Sequence, residues 1–129
     1  MTPNITTGAL HHITLTVADV NRSHSFYEEV LGFKKIADLG PRILAHNGSF
    51  LLALTPSSGD DTGFDETRVG IDHISLAVES RDELQRAIAI LDERGVSHGE
   101  ITDLTDFAIS VLMFRDPDNI QVELCASLS

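Results

Sequence analysis

Leu10-His11-His12-Ile13-Thr14-Leu15-Thr16-Val17 lies over Ile71-Asp72-His73-Ile74-Ser75-Leu76-Ala77-Val78. Each stretch sets a histidine before branched or apolar residues at every second position, the alternation of a half-buried strand. A helical pattern follows each. Asn21 to Leu31 carries Phe26, Tyr27, Val30 and Leu31 and stops at Gly32. Arg81 to Arg94 carries Leu84, Ala87, Ile88 and Leu91 and stops at Gly95. Ser80 with Glu83 predicts a capping box, and both glycines suit the left-handed residue that ends a helix. Phe33 and Val96 then begin new extended stretches. Two further strands close each half: about 42–45 and 49–54, joined at His46-Asn47-Gly48, and about 108–114 and 120–124, joined at Asp116-Pro117-Asp118-Asn119. Asn-Gly is a strong hairpin signal, and the second linker is a turn by composition.

The chain therefore reads as two strand–helix–strand–strand–strand modules, an α+β class. Module one covers about 8–55 and module two about 70–126. A polar linker over about 56–69 carries Asp60, Asp61, Asp65 and Glu66, all within one domain of 1–129. Alternation sorts the faces. Ile13, Leu15, Val17, Ile74, Leu76, Val78, Ile120, Val122 and Leu124 should pack on the helices. His12, Thr14, Thr16, His73, Ser75, Ala77, Gln121, Glu123 and Cys125 should point away, and a one-residue slip would invert the assignment. By the same alternation His11 should face the helix.

Composition narrows the partners. Nine Lys plus Arg against twenty Asp plus Glu leave a net charge of −11 over 129 residues. Phosphate recognition needs clustered Lys and Arg, so neither nucleic acid nor an anionic membrane surface is an expected partner. The longest apolar runs, Phe50–Leu54 and Ala87–Leu91, are too short to span a bilayer. The opening Met-Thr-Pro-Asn-Ile-Thr lacks the basic and apolar segments of an export signal. The lone Cys125 fits a reducing compartment. A cytoplasmic protein is expected.

Three stretches carry a family resemblance: His12-Ile13-Thr14-Leu15-Thr16-Val17; Ser25-Phe26-Tyr27 leading to Leu31-Gly32-Phe33; and Asp116-Pro117-Asp118-Asn119-Ile120-Gln121-Val122-Glu123-Leu124. With the repeated strand at His73, the chain resembles the vicinal oxygen chelate superfamily of glyoxalases, extradiol dioxygenases, methylmalonyl-CoA epimerases and bleomycin-resistance proteins. The resemblance covers about Leu10 to Cys125. It implies curved mixed sheets around a metal-centred cavity, and a homodimer.

By the same resemblance, ligands come from the first and last strands of each module. His12, His73 and Glu123 match three of them. The fourth place falls on Leu52 when Asn47-Gly48 is aligned with Asp118-Asn119, and leucine neither ligates nor takes a proton. Two imidazoles and a carboxylate suit Fe(II), with Zn²⁺, Mn²⁺ or Ni²⁺ as other occupants.

The resemblance implies a metal-dependent enzyme, dioxygenase-like or lyase/isomerase-like, acting on a small chelating oxygenated substrate. The alternative is a sequestering protein of the bleomycin-resistance type, for which the acidic charge favours a cationic ligand. The acid–base His and Tyr of extradiol dioxygenases have no match in 56–69 or 108–114, so the catalytic residue is unassigned, with His98 and His46 as candidates. Both also read as solvated loop residues, and His24 as a surface residue. Tyr27 reads as helix packing, Cys125 as packing or a reactive thiol, and Arg42 and Arg115 as surface ion pairs or an anion clamp. Phe50, Leu52, Leu54, Phe107 and Phe114 are candidates to line an apolar substrate pocket.

Overall fold

A computed structural model describes residues 4–59 and 63–128. The opening Met1–Pro3 and the linker residues Asp60 and Asp61 lie outside the described residues. The chain forms two compact units, Met1–Gly59 and Asp60–Ser129.

In the first unit, β1 (His12–Val17), α1 (Val20–Leu31), β2 (Lys34–Leu39), β3 (Arg42–His46) and β4 (Leu51–Pro56) follow one another. Their sheet has the order β1-β4-β3-β2. β1 runs parallel to β4, and the other pairs are antiparallel. The second unit repeats this with β5 (Ile74–Ala77), α2 (Arg81–Glu93), β6 (Thr102–Leu104), β7 (Ile109–Arg115) and β8 (Gln121–Ser127), in the order β5-β8-β7-β6. A single 3₁₀ turn, Thr105–Phe107, joins β6 to β7. Both sheets are thus mixed and α+β, as the repeat predicts, and neither closes into a barrel.

Local chemistry explains the ends of the elements. Asp19 caps α1, its Oδ1 accepting from Arg22 N at 3.0 Å. Gly32 ends that helix at φ +75°, where a side chain would be strained. The capping box predicted at Ser80 does not form. The Ser80 side chain makes no cap bond, and Glu83 pairs instead with Arg86 at 2.7 Å, one turn along the helix. The first hairpin is looser than a two-residue Asn-Gly turn, because Asn47 Oδ1 accepts from Ser49 N and Phe50 N at 2.9 and 3.1 Å. The second is held by the buried Asp116, whose Oδ1 accepts from Asp118 N and Ile120 N, both at 2.9 Å. From Gly63 onward, the predicted linker is fastened to this turn: Phe64 N donates to Asp118 O at 2.8 Å, and Asn119 Nδ2 to Phe64 O at 3.0 Å.

Each core lies between a sheet and its helix. In the first unit Leu15, Val17, Leu52 and Leu54 are buried, and Tyr27, Phe33 and Phe50 meet edge to face. In the second, Leu84 and Leu91 of α2 are buried with Leu112, Phe114, Val122 and Leu124 of the sheet. The predicted inward set is therefore found in place for β1 and β8, while Ile74, Leu76 and Val78 are half-buried. No helix among the described residues is long and apolar enough to cross a membrane.

Candidate functional site

The second unit brings two of the predicted ligands together. His73 immediately precedes β5, and Glu123 lies on β8 opposite Ser75. His73 Nε2 stands 3.6 Å from Glu123 Oε2. Ser75 Oγ donates to Glu123 Oε1 at 2.7 Å, which fixes the carboxylate and leaves its second oxygen toward the imidazole. On the far side of the ring, His73 Nδ1 is 2.8 Å from Asp72 Oδ1. The first unit offers His12, exposed at the start of β1, with its Nδ1 2.8 Å from His11 Nδ1. His11 is exposed and does not face the helix as predicted, because the strand begins only at His12 and the alternation does not extend back to it. Among the described residues, no group of three or more His, Cys, Asp or Glu side chains is placed to hold an ion. The pair His73–Glu123 fits two positions of one: with bonds of about 2.1 Å, donors at right angles stand about 3 Å apart.

Strand register corrects the fourth position. Ile13 faces Leu52 and Thr14 faces Ala53, while Ile74 faces Val122 and Ser75 faces Glu123. The counterpart of Glu123 is therefore Ala53, and Leu52 matches Val122, buried on the helix side. The first unit offers no carboxylate at that place.

The predicted pocket residues divide in the same way. Leu52, Leu54 and Phe114 are core side chains, and Phe50 is buried against Phe33. Phe107 is 75% exposed on the 3₁₀ turn. The residues that share the face of Glu123 on β7 are those directly opposite it and its neighbour, Met113 and Arg115. With Phe114, Gln121 and His98 they border a hollow of about 270 Å³. Sequence reading put Ser75 and Gln121 on this face without a role and missed Met113 and Asp72. Strand parity could have found Met113, because Phe114 falls on the core side.

The remaining polar candidates have structural partners. Arg115 is gripped by Glu66 through Nη1 and Nη2 at 2.7 and 3.0 Å, as the ion-pair reading predicts. That hydrogen bond holds the Glu66 carboxyl below its usual range and raises Arg115. Arg42 Nε donates to Thr55 Oγ1 at 3.1 Å, while His24, expected on the surface, is half-buried, its Nε2 2.9 Å from Glu28 Oε2 but not in hydrogen-bond geometry. His46 Nδ1 accepts from Gly48 N at 2.8 Å and shapes the hairpin. Burial first, and then the Glu123 charge, push the Cys125 thiol up, so it stays protonated and unreactive.

His98 is not a solvated loop residue. Its Nδ1 lies 2.6 Å from Gly99 O and its Nε2 2.7 Å from Asp92 Oδ1. Both partners only accept, so the two contacts are satisfied together when both nitrogens carry a proton. The Gly99 carbonyl, then Asp92, hold its pKa above the ordinary 6.5. A raised folded-state pKa stabilises fully below 6.5 and fades as pH rises through the raised value. The melting temperature of wild type minus that of His98→Asn should therefore be largest near about pH 5.5 and shrink by a few degrees by about pH 8.5. A difference constant over that range would contradict the clamp.

Residues 9–124 match the Glyoxalase/Bleomycin resistance protein/Dioxygenase superfamily. A solved glyoxylase/bleomycin resistance protein/dioxygenase domain from Frankia sp. EAN1pec superposes with a TM-score of 0.80 at 32% identity, covering 95% of this chain and 93% of that one. The lactoylglutathione lyase of Schizosaccharomyces pombe is 30% identical over 95% of this chain and 49% of its own length. The catechol-2,3-dioxygenase of Bacillus subtilis is 30% identical over 87% of this chain and 39% of its own length. The chain thus spans half or less of the length of these two relatives.

Proposed function

Because the chain belongs to the Glyoxalase/Bleomycin resistance protein/Dioxygenase superfamily, we propose that it is a metal-dependent enzyme, dioxygenase-like or lyase/isomerase-like, acting on a small oxygenated substrate that chelates the ion. The observation that supports this is the His73–Glu123 pair, a nitrogen and an oxygen 3.6 Å apart on the side of the sheet away from α2. In this reading His73 and Glu123, both of the second unit, hold the ion. Fe(II) is favoured by the imidazole and carboxylate set, with Zn²⁺, Mn²⁺ and Ni²⁺ as competitors. Once bound, a divalent ion polarises the oxygens of a chelating ligand as a Lewis acid.

The protein's own groups would do the rest. Ser75 keeps one oxygen of Glu123 occupied and the other aimed at the site. Met113, across the strand pair from Glu123, presents apolar surface to the substrate beside the ion. The lack of a carboxylate at Ala53 removes the second acid–base group on which glyoxalase-type proton transfer relies. That disfavours glyoxalase-type isomerisation, while the acid–base His and Tyr of extradiol dioxygenases are unmatched as well, so the reaction stays dioxygenase-like or lyase/isomerase-like.

The test is elemental analysis of protein purified without chelator. Anaerobic titration of the stripped protein with Fe(II), Zn²⁺, Mn²⁺ and Ni²⁺ follows, then oxygen uptake with catechols. Micromolar binding of one of these ions is expected. Failure of all four to bind more tightly than about 1 mM would overturn the proposal.

A further inference from the structure

We infer that Asp72 is a positioning residue whose carboxylate holds the His73 ring in the tautomer with the proton on Nδ1. That leaves the lone pair of Nε2 directed toward Glu123. The use of that lone pair for an ion rests on the proposed metal reading; the tautomer itself does not.

His73 Nδ1 stands 2.8 Å from Asp72 Oδ1. A carboxylate only accepts, so Nδ1 must donate, and in the neutral ring Nε2 is then unprotonated. Nε2 is the nitrogen 3.6 Å from Glu123 Oε2. The ring is part-exposed (35%), and the hydrogen bond to Asp72 fixes which of its nitrogens faces Glu123. Asp72 is itself anchored: Gln121 Nε2 donates to its Oδ1 at 2.9 Å and to its main-chain carbonyl at 3.2 Å. Gln121 Oε1 accepts in turn from Arg115 Nη2 at 3.3 Å, and Arg115 is fixed by Glu66. A chain of side chains thus runs from Glu66 through Arg115, Gln121 and Asp72 to His73. Carboxylates that accept from the remote nitrogen of a ligating imidazole have this effect in metal sites generally.

The first unit repeats the placement. His11 precedes His12 as Asp72 precedes His73, and again the Nδ1 of the second residue is engaged, at 2.8 Å.

The test compares Asp72→Ala and Asp72→Asn with wild type. Asp72 is exposed and contributes nothing to the core, and the asparagine oxygen can still accept. Nitrogen-15 spectra of the metal-free proteins at about pH 8, above the ordinary imidazole pKa of about 6.5, should show the His73 proton on Nδ1 in wild type and Asp72→Asn. In Asp72→Ala that preference should be lost. Zn²⁺ affinity should fall about 10- to 100-fold in Asp72→Ala and be largely restored in Asp72→Asn. A wild-type His73 protonated on Nε2, or an unchanged tautomer in Asp72→Ala, overturns the inference. So does unchanged Zn²⁺ affinity in Asp72→Ala when wild type binds. A wild type that shows the tautomer but takes up no ion supports the role of Asp72 and overturns the metal reading alone.

Discussion

Replacing His73 by alanine is expected to weaken divalent-ion affinity by at least about 100-fold, beyond the 10- to 100-fold loss typical of an outer-shell partner. Thermal stability should barely move. The imidazole stands just outside β5, part-exposed, and its polar contacts are Asp72 and Glu123. Neither belongs to the core, and a substitution at such a position costs within about 0.5 kcal/mol. The competing explanation of the pair is an ordinary surface ion pair, worth about 0–1 kcal/mol, whose removal would leave metal uptake untouched. Competition titration against a chromogenic chelator separates the two. His98→Asn serves as the control, since its imidazole is committed to Gly99 and Asp92. An affinity in His73→Ala within about threefold of wild type would remove His73 from the ligand set and leave Glu123 without its partner.

The repeated strand was legible because alternation is a strong signal where only one face is buried. His12-Ile13-Thr14-Leu15 and Ile120-Gln121-Val122-Glu123 show it plainly, and the burial of β1 and β8 follows. The extended stretch expected from Val96 becomes a strand only at Thr102–Leu104, too short to show any period, and the 3₁₀ turn after it went unplaced. Ser80 and Glu83 had the spacing of a capping box, but spacing could not reveal that Arg86 would claim the carboxylate.

At the site, the alternation that correctly turned His73 and Glu123 to one side was carried too far back along the chain. It placed His11 under the helix, yet β1 begins only at His12, and β5 likewise begins after Asp72. That is why Asp72 and His11 are free to meet the neighbouring rings. Gln121 and Arg115 join that network across a strand pair, and such a partnership depends on register, which one strand's sequence does not specify.

Register also decides the last expectation. Phe50–Leu54 is apolar at every position, so parity cannot be read from it, and alignment through the hairpins put Leu52 opposite the role of Glu123. The observed pairing puts Ala53 there. Leu52→Glu and Ala53→Glu add the same charge one residue apart, so effects of net charge cancel between them. At position 52, which is 2% exposed, the new carboxylate must enter the core beneath α1 without a partner. It then stays ionised at great cost or takes up a proton to remain buried. A loss of about 3–5 kcal/mol is expected, against a total stability of about 5–15 kcal/mol for a domain of ordinary size. At position 53 the carboxylate reaches the half-exposed side opposite Thr14, as Glu123 stands opposite Ser75. There the change should stay within about 1 kcal/mol. Urea denaturation of the two variants reads the difference directly. Equal destabilisation, or a greater loss at position 53, would mean that β4 faces the other way and that the lost carboxylate belongs at Leu52 after all.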